Sequence, residues 1–235
     1  MTQATPERTP VTDRGRRTRT TVMDGAREAF EEHGYAATRM SDIASAANVS
    51  HGTVYTYFDT KESVLEAVTA DVVTDLHRSL WTSTAAHPLD RIGDANERYL
   101  SAYRQHARLL SVVEEAAGAD ERFRTVLTEV RRTHVRRVAE AIRRLQREGL
   151  AASDLDPDTA AAALCAMVEG FARYWYGQGE PHDQAIATKT LTDLWAGGLG
   201  LPTPADDHTR ANSNQEPEPD ARRTGRSRRN THAVH

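Results

Sequence analysis

At 235 residues the chain has room for a small domain plus a larger one, each with a core of its own. Hydrophobic residues make up 38% of it, yet no apolar run is long enough to span a bilayer, and the opening MTQATPERTP lacks the basic start and apolar stretch of a signal peptide; the expectation is a cytoplasmic protein with no membrane partner. A net charge of -4 excludes a protein that coats nucleic acid indiscriminately, because that demands a strongly basic surface, so any nucleic-acid contact must be local.

Residues 1–14 are polar and aperiodic and are predicted to form a disordered arm, with Arg14, Arg16, Arg17 and Arg19 crowded just ahead of the first helix. From about Arg16, the residues Val22, Ala26, Ala29, Phe30 and His33 recur at helical spacing, and Gly34 stops the helix. Met40, Ile43, Ala44 and Ala47 then mark a short second helix, which ends at Asn48, a residue tolerant of the left-handed conformation. Val49 offers an apolar plug to the turn and Ser50 a cap for a new helix. In that helix Val54 and Phe58 face inward, leaving His51, Thr53, Tyr55 and Tyr57 to face outward. The pattern is a helix-turn-helix with a polar second helix; an amphipathic hairpin of purely structural role has the same spacing.

The full string separates the two. Gly34-Tyr35-Ala36-Ala37-Thr38, Asp42-Ile43-Ala44, the run from Val49 to Phe58, and Lys61-Glu62 closely resemble the N-terminal DNA-binding domain of TetR-type transcriptional regulators, in an ungapped register over about the first third of the chain. The resemblance implies that Thr38, Ser50, Thr53, Tyr57 and Lys61 approach the DNA backbone, and that Arg39, His51, Gly52 and Tyr55 lie where base edges or nearby phosphates are reached. Hydroxyls and a lysine suit phosphate oxygens, and a glycine near the start of the second helix permits close approach to the duplex. Tyr55 or Tyr57 could equally pack the unit, and Ser50 could be only a cap. Arg39 stands where the family usually has threonine; it loses a capping hydroxyl and gains a guanidinium able to reach phosphate or guanine. Asn48 stands in place of the usual glycine.

Past Asp59 and Thr60, either able to cap, a long amphipathic helix is predicted from Lys61 to about Trp81, with Val64, Leu65, Val68, Val72, Leu76 and Leu80 on one side. After a break at His87-Pro88, Asp90 can cap a helix to about His106 carrying Ile92, Tyr99, Leu100 and Tyr103; a separate apolar patch, Leu109 to Ala117, ends at Gly118. The next helix runs from Asp120 to Glu148, and its many arginines read as a solvated face. Pro157 begins a helix to about Tyr176, and a last helix spans Asp183 to Leu199. Cys165, the single cysteine, reads as a small buried hydrophobe. From Pro202 the composition turns polar and charged, predicting a disordered tail whose basic cluster from Arg222 to Arg229 reads as solubilising.

The expected fold is all-α: the arm over 1–14, a helix-turn-helix DNA-binding domain over 15–60, a helical regulatory and dimerisation domain over 61–200, and a tail over 201–235. There is no GxSxG elbow, glycine-rich phosphate loop, HExxH or paired-cysteine signature, so neither an enzyme nor a metal or cofactor is expected. The resemblance implies a homodimer joined through the last two helices, an inverted-repeat DNA operator, and a small-molecule effector. Bulky residues suited to lining an effector pocket are Trp81, Tyr99, Tyr103, Phe123, Met167, Phe171, Tyr174 and Trp175, although an aromatic at helical spacing also suits plain core. The alternative is a DNA-binding protein whose second domain only dimerises or binds a protein partner.

Overall fold

A computed structural model describes residues 12–179 and 181–202, and the expected disorder of residues 1–11 and 203–235 lies outside the described residues. The described chain is helical throughout. In order it runs α1 (Asp13–Ala37), α2 (Met40–Ala46), α3 (His51–Tyr57), α4 (Lys61–Arg78), a 3-10 turn (Ser79–Trp81), α5 (Pro88–Ala119), α6 (Glu121–Arg147), α7 (Pro157–Ala172) with a π-helical extension (Arg173–Gly177), and α8 (Gln184–Leu199).

Local chemistry sets most of these boundaries. The side chains of Thr12, Ser50, Asp120, Asp156 and Asp183 accept from backbone N–H groups in the first turns of α1, α3, α6, α7 and α8. Thr60 and Ser63 cap α4 reciprocally, at 3.2 and 3.3 Å. Gly34 (φ 75°) kinks α1 ahead of its last residues, and Asn48 (φ 51°) takes the left-handed turn that joins α2 to α3. Gly25 is required for a different reason: a Cβ there would lie 2.4 Å from the backbone nitrogen of Ala47, so α1 and α2 touch almost backbone to backbone.

Four expectations are corrected. α1 begins at Asp13 on a Thr12 cap, so Arg14, Arg16, Arg17 and Arg19 belong to its first turns instead of a leading arm. His33 is exposed, because the helix breaks at the next residue and its flank turns to solvent. α5 is one helix of 32 residues: Ala107-Arg108 are good helix formers, and nothing between His106 and Leu109 breaks the backbone pattern. Its cap is His87, whose Nδ1 accepts from the Leu89 amide, and Asp90 only adds charge to the first turn.

One buried cluster runs unbroken from Val22, Phe30, Ile43, Val54 and Phe58 of α1–α3, through Val64, Leu65, Val68 and Val72 of α4, to Leu100, Leu109 and Val113 of α5. Each such fully buried side chain contributes about 1.5–3 kcal/mol, so the helix-turn-helix is welded through α4 to α5. A second cluster joins α6, α7 and α8 around Val138, Ile142, Cys165 and Leu199. Cys165 is buried as expected, and burial pushes its thiol up to about 12.

Candidate nucleic-acid interface and ligand cavity

The turn from Ala47 to Ser50 aims α3. With Asn48 in the left-handed region, the Val49 amide reaches back to the Ala44 carbonyl at 3.0 Å, half-burying the Val49 side chain under the hairpin. Ser50 Oγ accepts from the Thr53 amide at 3.1 Å and lies 2.7 Å from the Thr53 hydroxyl. Val54 and Phe58 are buried, which turns the opposite face of α3 outward.

That face carries most of the expected DNA-contacting residues. Ser50, His51, Gly52 and Tyr55 are exposed and Thr53 and Tyr57 half-buried, with the His51 and Tyr55 rings edge to face at 5.0 Å. Arg39 is exposed at the start of α2. Its backbone N–H donates to the Asp42 carboxylate at 2.8 Å, the half of a capping box that needs no hydroxyl at Arg39, and its guanidinium has no partner among the described residues.

Two of the nine expected contacts are set apart from this surface. Thr38 is only 2% exposed, with its hydroxyl 2.6 Å from the Gly34 carbonyl and 3.2 Å from that of Ala29; the side chain satisfies the end of α1 and is not presented to a phosphate. Lys61 Nζ donates to the carbonyls of Tyr35, Ala36 and Thr38 at 2.8, 3.1 and 3.1 Å and sits 4.6 Å from the centre of the Tyr35 ring. All three ammonium protons are committed within the protein. Next to it the Tyr35 hydroxyl donates to Glu62 at 2.8 Å, and burial together with that carboxylate pushes the phenol well up.

A cavity of about 370 Å³ opens at the seam between the two buried clusters, bounded by the 3-10 turn, α5, α6, α7 and α8. Its size suits a small organic ligand. Of the residues expected there, Trp81 and Tyr99 line it. Tyr103 instead joins Tyr99 at a separate hollow of about 80 Å³. Phe123 packs edge to face on Tyr35 at 5.5 Å, and Met167 lies half-buried against the larger cluster. Phe171, Tyr174 and Trp175 gather around His182, at 5.1, 6.2 and 5.7 Å, so they order the approach to α8 and do not wall the cavity. The cause is rotational: helical spacing fixes which residues share a stripe, but not which neighbour the stripe meets.

Polar residues that sequence reasoning passed over complete the lining: Arg91, Asn96, His134, Arg144, Glu169 and Trp195. His134 stacks on His77 of α4 at 4.4 Å, with planes 10° apart. Burial foremost, then neighbouring positive charge, lowers His77 to about 4 and His134 to about 3. Both rings are neutral at pH 7. α4 thereby touches the cavity wall at its far end while Lys61 grips α1 at its near end. No helix among the described residues is long and apolar enough to cross a membrane.

Comparison with known proteins agrees with this arrangement. The family described as "Bacterial regulatory proteins, tetR family" matches residues 22–68, and the "BetI-type transcriptional repressor, C-terminal" family matches residues 85–199. The transcriptional repressor Rv3405c of Mycobacterium tuberculosis is 35% identical over 80 residues, 34% of this chain and 43% of that protein. The match thus spans less than half the length of that relative. The regulator TtgR of Pseudomonas putida is 27% identical over 169 residues, 67% of this chain and 80% of its own. A TetR-family regulator from Rhodococcus sp. shares the fold with a TM-score of 0.66 at 22% identity, over 76% of this chain and 98% of that one. The chain belongs to the TetR family, a family of transcriptional regulators and not of enzymes, and its C-terminal part is of the BetI type.

Proposed function

We propose that the protein is a dimeric transcriptional repressor that binds an inverted-repeat operator through residues 15–60 and is released when a small, largely apolar effector fills the cavity in residues 61–200. The α3 face of Ser50, His51, Gly52, Thr53, Tyr55 and Tyr57, with Arg39 beside it, is the reading surface; seven residues is a short helix, but the hydroxyls and the bare backbone at Gly52 allow close approach to a groove. Tyr174, Ile186 and Leu194 are 44%, 68% and 52% exposed near and along α8, an apolar stripe that a second copy would bury, which supports dimerisation through the last two helices.

The observation that carries the control function is the path of α4. Its 18 residues span about 27 Å. One end is fastened by Lys61 to the base of the helix-turn-helix, and the other places His77 against the cavity-lining His134. Two recognition helices must sit about 34 Å apart to meet successive half-sites, so a tilt of α4 in each subunit misaligns them.

Thermal stability across a ligand library, followed by operator binding with each ligand that raises the melting temperature, tests the reading. Ligands that stabilise the free protein and weaken operator binding are expected. Stabilising ligands that leave operator binding unchanged would reduce residues 61–200 to a dimerisation platform.

A further inference from the structure

The cavity's polar atoms have an uneven inventory. Ser83 donates to Asp94, Asn96 donates to Thr192 at 3.2 Å, and Glu169 is paired with Arg131 at 2.6 Å, so these lining groups are already matched. Arg91 and Arg144, which enter from α5 and α6, have no hydrogen-bond or ion-pair partner among the described residues. Within α6, Arg122, Arg131, Arg132 and Arg143 each hold a carboxylate, whereas Arg124, Arg137, Arg144 and Arg147 hold none among the described residues, and of these unpaired four it is Arg144 that lines the cavity. Deeper in, the Nε1–H of Trp195 is buried and unpartnered, as is Nδ1 of His134. Apart from the amphoteric imidazole, every unmatched group in this set is a donor.

Ile92, Val138, Ile142 and Val168 make the rest of the wall apolar. Such a site rewards an apolar body that also brings acceptors, and it opposes a cation, because the one carboxylate in the wall is neutralised by Arg131. Arg144 is exposed and therefore lies at the rim, where a charged head can keep part of its hydration.

We propose that the effector is an amphipathic anion, with its apolar body in the cavity and a carboxylate or sulfate-like head held by Arg91 and Arg144 at the rim. A guanidinium offers a planar fork of donors to either head, and the buried Trp195 N–H is placed to take an acceptor on the body of the ligand. The inference rests on the cavity being the effector site. At about 370 Å³ it has room for a small organic molecule such as an alkyl chain or a substituted ring.

The test titrates the full-length protein with octanoate, octyl sulfate, octanol and octylammonium, read by calorimetry and by the fluorescence of Trp81 and Trp195, which both line the cavity. The two anions are expected to bind at least about tenfold more tightly than octanol, with octylammonium weakest. Replacing both arginines (Arg91→Leu with Arg144→Leu) should bring the anions to the affinity of octanol and leave octanol unchanged, which also reports that the variant is folded. Octanoate ahead of octyl sulfate identifies a carboxylate head, and the reverse order a sulfate-like one. Octanol or octylammonium binding as tightly as the anions, or an anion preference that survives the double replacement, overturns the proposal and leaves the cavity reading intact. No binding by any of the four, or binding unaffected by filling the cavity with Ala95→Trp, removes the cavity reading and this inference with it.

Discussion

Lys61 Nζ lies 2.8 Å from the carbonyl oxygen of Tyr35 and 4.6 Å from the centre of the same residue's ring, so the first residue of α4 grips the last turn of α1 by both backbone and side chain. The end of a helix leaves carbonyls without intrahelical partners and carries partial negative charge, and an ammonium satisfies both. The grip is reinforced one residue on, where Glu62 accepts from the Tyr35 hydroxyl. These contacts join α4 to α1, and the close approach of Gly25 to Ala47 joins α1 to the end of α2.

Removing the ammonium should cost stability first. Lys61→Met leaves three carbonyls to water or to no partner, and the expected loss is about 1–3 kcal/mol, read as a lower urea midpoint. Operator affinity should fall with it while the slope of log K against log salt stays unchanged. A slope smaller by about 0.9 would mean that Lys61 leaves its carbonyls and meets a phosphate in the complex.

The stacked His77 and His134 make stability depend on pH. In the folded protein their values are lowered from 6.5 to about 4 and about 3, so below pH 6.5 the unfolded chain takes up protons that the folded one refuses. Their contribution is fully present above pH 6.5 and is lost progressively as the pH falls toward 4 and then 3. Unfolding by urea across this range should show the decline, and a variant with His77→Phe and His134→Phe should show less of it. An identical pH profile in the variant would show that the pair does not set the acid limb of stability.

The exposed apolar stripe predicts a change of mass. Ile186→Asp with Leu194→Asp places charge where a partner's apolar surface is expected, and sedimentation should shift from dimer to monomer at micromolar concentration with helicity retained. A wild-type protein already monomeric at that concentration, or a variant still dimeric, contradicts dimerisation through α8.

Much of this architecture is legible in the residues. Ser50, Thr60 and Pro157 announce helix starts, and Gly34 and Asn48 announce turns, because each has a local chemical reason to be there. Where the signal is only an apolar interval, as around Ala107-Arg108 in α5, periodicity breaks one helix into two. The exposed face of α3 is visible because Val54 and Phe58 fix its rotation. The cavity is not, since its walls come from distant helices whose rotation about their axes is set by packing alone: Phe171 and Trp175 turn toward His182, and Arg144 is indistinguishable in sequence from the paired arginines around it. The carbonyl contacts of Lys61 and Thr38 are not legible in sequence for a related reason. Hydroxyl and ammonium groups suit carbonyls as well as phosphates, and only the three-dimensional arrangement says which is in reach.

Coupling between the cavity and the proposed DNA-reading surface through α4 is tested most directly by the affinity for DNA with the cavity empty and filled. An operator selected from random duplexes supplies the DNA, and fluorescence anisotropy at fixed salt supplies the Kd. With a saturating cavity ligand, operator affinity should fall about 5–150-fold, matching a coupling of roughly 1–3 kcal/mol, and bound operator should weaken the ligand by the same factor. Equal ligand affinity for the free and the operator-bound protein would contradict coupling through α4.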